Sequence, residues 1–304
     1  MFWPRWGVVV LGSVVAIGVS HGPVSARVVL SSPGASDEVA ELCAAFDLAL
    51  KHRPRPAVEP VGEICCRFKQ LLPEAERADR LKITNSVRGA FNLSPPPGDA
   101  RVQVLAADCL SVAGGDGLKA LRWALGRKSL EMNAKLLADE CRARLEAKAA
   151  VIEAIGSFED PKTLPLLLEC LQQDSLETIV ASCNAINKFG DLPLQKRKPV
   201  VEQVIKRYTA LVMQEYPGLG SGRRSFVGSV GGETDWTKVK MPINLTIQTL
   251  TGQELYTAKS WREWFRAHEK DREWPKGQFK EENPWARITS RGPEPRDKGS
   301  RGKP

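Results

Sequence analysis

Three stretches of this chain repeat one another, and an internal repeat restricts the possible folds more than any single motif does. They are residues 104–125 (VLAADCLSVAGGDGLKALRWAL), residues 149–171 (AAVIEAIGSFEDPKTLPLLLECL) and residues 180–194 (VASCNAINKFGDLPL). In register, Cys109 falls on Ala154 and Ala185, Leu110 on Ile155 and Ile186, and Ala113 on Phe158 and Phe189. Each copy reads as a helix with a small residue beside a large apolar one, then a tight polar turn, then a second helix with an apolar stripe. The turns are Gly114-Gly115-Asp116, Glu159-Asp160-Pro161 and Gly190-Asp191. Glycine supplies the positive φ that ends a helix, Asp caps the next one and Pro suits its first turn, so Asp160-Pro161 is the sharpest helix start in the chain. The second helix of the third copy carries Val200, Val201, Val204, Ile205, Tyr208, Leu211 and Val212 as one stripe. The copies begin 45 and 31 residues apart, and an insertion around residues 128–133 accounts for the longer interval. Hairpins of this kind bury their apolar faces only by stacking, with small residues expected at the seam within each hairpin and large ones against the neighbour. The expected fold is all-α.

Helical spacing also precedes and follows the repeats. Val39, Leu42, Cys43, Phe46 and Leu50 share one face behind Ser36, and Ile64, Cys65, Phe68, Leu71 and Leu72 share a second. Pro73 is read as opening a third helix that runs to about Phe91, and Ser94-Pro95-Pro96-Pro97-Gly98 as a loop. Residues 217–235 hold six glycines and several serines, the composition of a flexible loop. Leu250-Thr251-Gly252-Gln253 follows the next helical stretch. Ser260-Trp261-Arg262-Glu263 then reads as a capping box that opens a last helix, with Trp261, Trp264 and Phe265 on one face.

The small-beside-large hairpin pattern over residues 99–216 resembles the HEAT-repeat family. The L-T-G-Q element followed by W-x-x-W looks like the closing element of secreted bacterial HEAT-repeat proteins. The resemblance implies a short HEAT-like α-solenoid of stacked hairpins with a C-terminal capping helix, in which Ser260, Trp261, Glu263, Trp264 and Phe265 form the structural cap. The chain then divides into a leader (1–26), an N-terminal helical region that is a divergent repeat or a cap (27–98), HEAT-like repeats (99–216), a Gly/Ser-rich loop (217–242), capping helices (243–274) and a disordered basic tail (275–304).

The leader has the order of a secretory signal peptide: Arg5, an uncharged apolar run over residues 7–19, and a small-residue site at Val24-Ser25-Ala26. The run is too short to span a bilayer, for which a helix needs about 20 residues. Cleavage after Ala26 and export to the periplasm or beyond are expected, with no integral membrane segment left. The net charge of +8 divides unevenly, the tail carrying eight basic and four acidic residues and residues 27–274 only +3. That balance does not describe a nucleic-acid channel, although the tail suits an anionic surface.

Seven cysteines without a CxxC, and three histidines (His21, His52, His268), give no zinc-like spacing, and no HExxH, P-loop or GxSxG occurs. The cysteines are read mainly as core packing, although export permits some of them to be bridged. No catalytic residue, metal ligand or cofactor is expected. The candidate contact residues are the basic run Lys196, Arg197 and Lys198, joined by Arg223 and Arg224 of the loop. These readings favour a non-catalytic scaffold that binds a protein or peptide. A helical-repeat enzyme of lyase type, or a polyanion or nucleic-acid binder, are the alternatives.

Overall fold

The computed structural model describes residues 35–52, 55–132, 136–215 and 236–275. The leader, most of the Gly/Ser-rich loop with Arg223 and Arg224, and the tail past Pro275 lie outside the described residues. Eleven helices follow in order: α1 Ala35–Lys51, α2 Val58–Leu71, α3 Arg77–Arg88, α4 Arg101–Ser111, α5 Gly114–Leu125, α6 Ala138–Gly156, α7 Leu164–Leu171, α8 Leu176–Asn187, α9 Leu194–Glu215, α10 Trp236–Thr251 and α11 Ala258–His268. No β-strand occurs among the described residues, so the fold is all-α.

Successive helices alternate between two ranks. In the even rank α2 packs on α4, α4 on α6, α6 on α8 and α8 on α10. In the odd rank α1 packs on α3 and α3 on α5, and then α7 on α9 and α9 on α11, with little contact between α5 and α7. A single apolar core runs between the ranks. The register-matched large residues Leu110, Ile155 and Ile186 are all fully buried in it.

The small residues close two kinds of seam. Gly156 at the end of α6 faces Ala185 of α8 so closely that a Cβ placed on Gly156 would lie 2.5 Å from the Ala185 Cβ. Within the first hairpin Gly117 of α5 comes against α4, where a Cβ would run into the Leu110 carbonyl oxygen, as expected of a hairpin seam; the Gly156–Ala185 contact adds a close seam between first helices of adjacent hairpins.

The three turns solve one problem in three ways. Gly114 takes a φ of +62°, and its register partner Glu159 takes +51° without being glycine. Gly190, the third partner, needs no positive φ; it is small because a Cβ there would meet the Thr249 side chain of α10 at 2.9 Å. Asp160 does cap as expected, its carboxylate accepting from the Lys162 amide at 3.0 Å, with Pro161 opening a short 3-10 turn ahead of α7.

Three boundaries differ from the sequence reading. Helix α3 starts at Arg77, since Pro73 belongs to a turn after α2. Helix α10 starts at Trp236, so residues 236–242 are helical and not loop. Val239, Ile243, Ile247 and Leu250 make one buried face along it, and this offsets having Pro242 inside the helix. Helix α11 is capped by Thr257, not Ser260. The Thr257 hydroxyl accepts from the Ser260 amide at 3.1 Å, because Thr257 has the extended backbone a cap requires while Ala258 and Lys259 already suit a helix.

Candidate functional site

The basic run stands at the start of α9, and its three members do different things. The Arg197 guanidinium donates to the Leu250 carbonyl at 2.7 Å and lies 5.9 Å from the Trp274 ring centre. Lys198 donates to the carbonyls of Glu269, at 2.8 Å, and Asp271. Both side chains are half-buried and tie α9 to the end of α10 and to the segment after α11. Cations at carbonyl-rich helix ends are favourable both as hydrogen bonds and by the helix dipole. Lys196 alone of the three is exposed toward solvent.

The C-terminal aromatics are placed as a cover. Trp261 is fully buried and Trp264 nearly so, whereas Phe265 is partly buried against the core. The Trp261 indole N–H donates to the Asn244 side-chain carbonyl at 2.9 Å. The Asn244 amide donates in turn to the Tyr208 hydroxyl, at 3.1 Å, and to the Tyr256 carbonyl, at 3.2 Å. The network therefore joins α9, α10 and α11. Glu263 forms no capping box; it lies 3.9 Å from Lys259 on the exposed side of α11.

Beside Lys196 the surface is concave. A groove of about 740 Å³ runs between α7 and the first turns of α9. Leu164, Leu168 and Val200, almost buried, make its base, and exposed Pro165 and Pro199 stand at its sides. Its polar members are Lys162, Glu169, Gln172, Gln195, Lys196 and Gln203. Lys162 and Gln172 flank α7, Gln195 and Lys196 stand at the start of α9, and Glu169 adds a carboxylate, so amides and both signs of charge line the groove. Sequence reasoning found only Lys196 here. The groove had no local signal, since Pro165 also suits the first turn of α7 and the facing residues of α9 are distant in the chain.

A second concavity, about 350 Å³, lies between the insertion after α5 and the turn after α7 and is lined by Glu131, Lys148, Gln173 and Asp174 among others. Burial lowers the Lys148 amine below its ordinary value. That amine is held by the Gln173 side chain at 2.7 Å, which fastens α6 to the α7–α8 turn. The nearby Cys170 thiol is pushed up to about 11 by burial, so it stays protonated at neutral pH and is a poor nucleophile. From α9, Arg207 closes the same turn by donating to the Gln173 carbonyl at 2.6 Å.

No family model, curated protein or solved structure matches the chain. What the surface can do chemically then rests on these residues alone. Among the described residues no three His, Cys, Asp or Glu side chains converge as a metal site. His268 has its ring nitrogen 2.7 Å from the Asp271 carboxylate and its carbonyl bonded to the Trp274 indole. No helix among the described residues is long and apolar enough to cross a membrane.

Proposed function

We propose that this chain is an exported, non-catalytic scaffold, a short HEAT-like α-solenoid that holds an extended peptide or protein segment in the α7–α9 groove. The alternation of helices between two ranks, with Leu110, Ile155 and Ile186 buried at one repeat position, supports the solenoid reading. The observation that carries the binding reading is the groove itself: an apolar base of Leu164, Leu168 and Val200 bordered by three glutamines, Glu169 and two lysines. Glutamine amides match the donor and acceptor pattern of an extended backbone, and an apolar floor takes alternate side chains. Lys162 and Lys196 favour a ligand with an acidic residue at that end. A polyanion is less well served, because Arg197 and Lys198 are already bonded to carbonyls and leave Lys196 as the accessible cation of the run.

The test is selection of displayed random peptides on residues 27–304, followed by affinity measurement on three proteins. Selected peptides should carry an acidic residue next to apolar ones. Lys196→Glu should weaken them about tenfold, equivalent to about 1.4 kcal/mol, and Gln203→Arg, which fills the groove, should weaken them further. Peptides that bind both variants as well as the parent, with melting temperatures unchanged, would remove the groove as the site.

A further inference from the structure

We infer that Cys65 and Cys109 are the two halves of a disulfide that cross-links α2 to α4 when the protein meets an oxidising thiol environment. The two thiols belong to neighbouring, packed helices of the even rank, and Cys65 is near enough to be the chief cause holding the Cys109 thiol above its ordinary value. Both are buried, at 0% and 2% exposure. One turn earlier on each helix, Gly62 of α2 lies beneath Leu105 of α4, and a Cβ on Gly62 would be 3.6 Å from a Leu105 methyl. The helices therefore run close and in step at this point, and the two cysteines occupy the next level of the same seam.

Among the seven cysteines this juxtaposition is distinctive. Cys170 has Lys148 beside it, Cys183 is hydrogen-bonded with Thr246, and Cys43 has Ser86. Cys66 is exposed, and the Cys141 thiol faces the Leu136 carbonyl. A disulfide needs its sulfurs about 2.0 Å apart with a dihedral near 90°, a geometry that side-chain rotation reaches more readily from cysteines on facing, packed helices than from distant ones. Cys65 and burial hold the Cys109 thiol well above its ordinary value, and Lys69, bonded to Asp108 at 2.8 Å, offsets this only in part, so the thiolate that exchange needs forms when the seam is open.

The reaction balances with a low-molecular-weight disulfide as the oxidant. The two protein thiols lose two protons and two electrons and form one S–S bond. The small disulfide breaks its own S–S bond, takes both electrons and both protons, and leaves as two thiols. Because the pair is buried, exchange requires either a folding chain or a local opening of α2 from α4. The bond would close a loop between positions 44 apart and fasten the N-terminal helices to the repeats. In a reducing compartment the same pair remains a dithiol, so the inference stands apart from the scaffold reading, whose groove is on α7 and α9.

The experiment refolds residues 27–304 in reduced and oxidised glutathione, quenches with acid, and labels free thiols under denaturing conditions. Mass spectrometry should show two unlabelled cysteines, and digestion should join the Cys109 peptide to the one holding Cys65 and Cys66. Cys66→Ser should keep the bond, whereas Cys65→Ser and Cys109→Ser should restore full labelling of the remaining thiols. The urea midpoint of the oxidised protein should exceed that of the reduced protein. Seven labelled thiols after oxidation, or a cross-link that disappears in Cys66→Ser, would overturn the assignment. Should either buried variant fail to fold, the parent and Cys66→Ser decide the question by themselves.

Discussion

Trp261 and Trp264 stand one helical turn apart and are both covered, yet their indole nitrogens differ. The first donates to Asn244; the second is buried with no hydrogen-bond partner among the described residues. Replacing each by Phe removes similar apolar surface but strands the Asn244 carbonyl only at position 261. A buried acceptor left unpaired costs about 1–3 kcal/mol. Trp261→Phe is therefore expected to lower stability by about that much more than Trp264→Phe does, measured by urea unfolding of both variants. Equal losses would mean that the Trp261–Asn244–Tyr208 network contributes nothing beyond burial. The burial of these rings was legible in the sequence from their i, i+3 spacing. The network was not, because Asn244 and Tyr208 lie 36 residues apart and carry no local pattern that links them.

At the level of helices, legibility followed the source of each boundary. Asp160-Pro161 and Gly114 were read correctly because their chemistry acts within two or three residues. Gly190 has the same sequence appearance but answers to α10, which is distant in the chain, and this is why its role was misread. The same holds for the groove, which is made by α7 and α9 facing one another and has no signature in either alone. Gly156 gives the test at this scale. Alanine there gains about 1 kcal/mol in helix propensity, but its Cβ would lie 2.5 Å from the Ala185 Cβ and 2.6 Å from the Ala185 Cα. Overpacking of this kind costs about 1–3 kcal/mol, so Gly156→Ala should destabilise. Adding Ala185→Gly should fail to restore the parent, since the Cα remains in place. Thermal melts of the single and double variants check both statements, and full rescue would show that side-chain crowding alone sets the α6–α8 spacing.

For the molecule as a whole, the buried thiols set how stability depends on pH. Burial pushes Cys170 up to about 11 and Cys183 up to about 12, from an ordinary value of 9.0. In the unfolded chain both ionise near their ordinary value, while the folded chain keeps them protonated. Their contribution is thus complete below about pH 9 and is lost as pH rises through the folded values. Within that window each thiol lowers stability by about 1.4 kcal/mol per pH unit. Lys148, shifted down, acts in the opposite sense up to its ordinary 10.5 and reduces the slope without reversing it. Urea midpoints measured under reductant should fall between pH 9 and pH 11, and Cys183→Ala should flatten the fall. An unchanged slope in that variant would show that Cys183 is solvated in the native state.

The unequal ranks have a mechanical meaning. The even helices touch in unbroken succession from α2 to α10, through the near-backbone contact of Gly156 with Ala185 and the Thr246 hydroxyl bonded to the Cys183 carbonyl, whereas the odd helices part between α5 and α7. Such a body resists stretching along one side and yields on the other, like a leaf spring with a notch. The helices before α6 and those after it are thus joined mainly through the even rank, and the α7–α9 groove lies wholly within the second group.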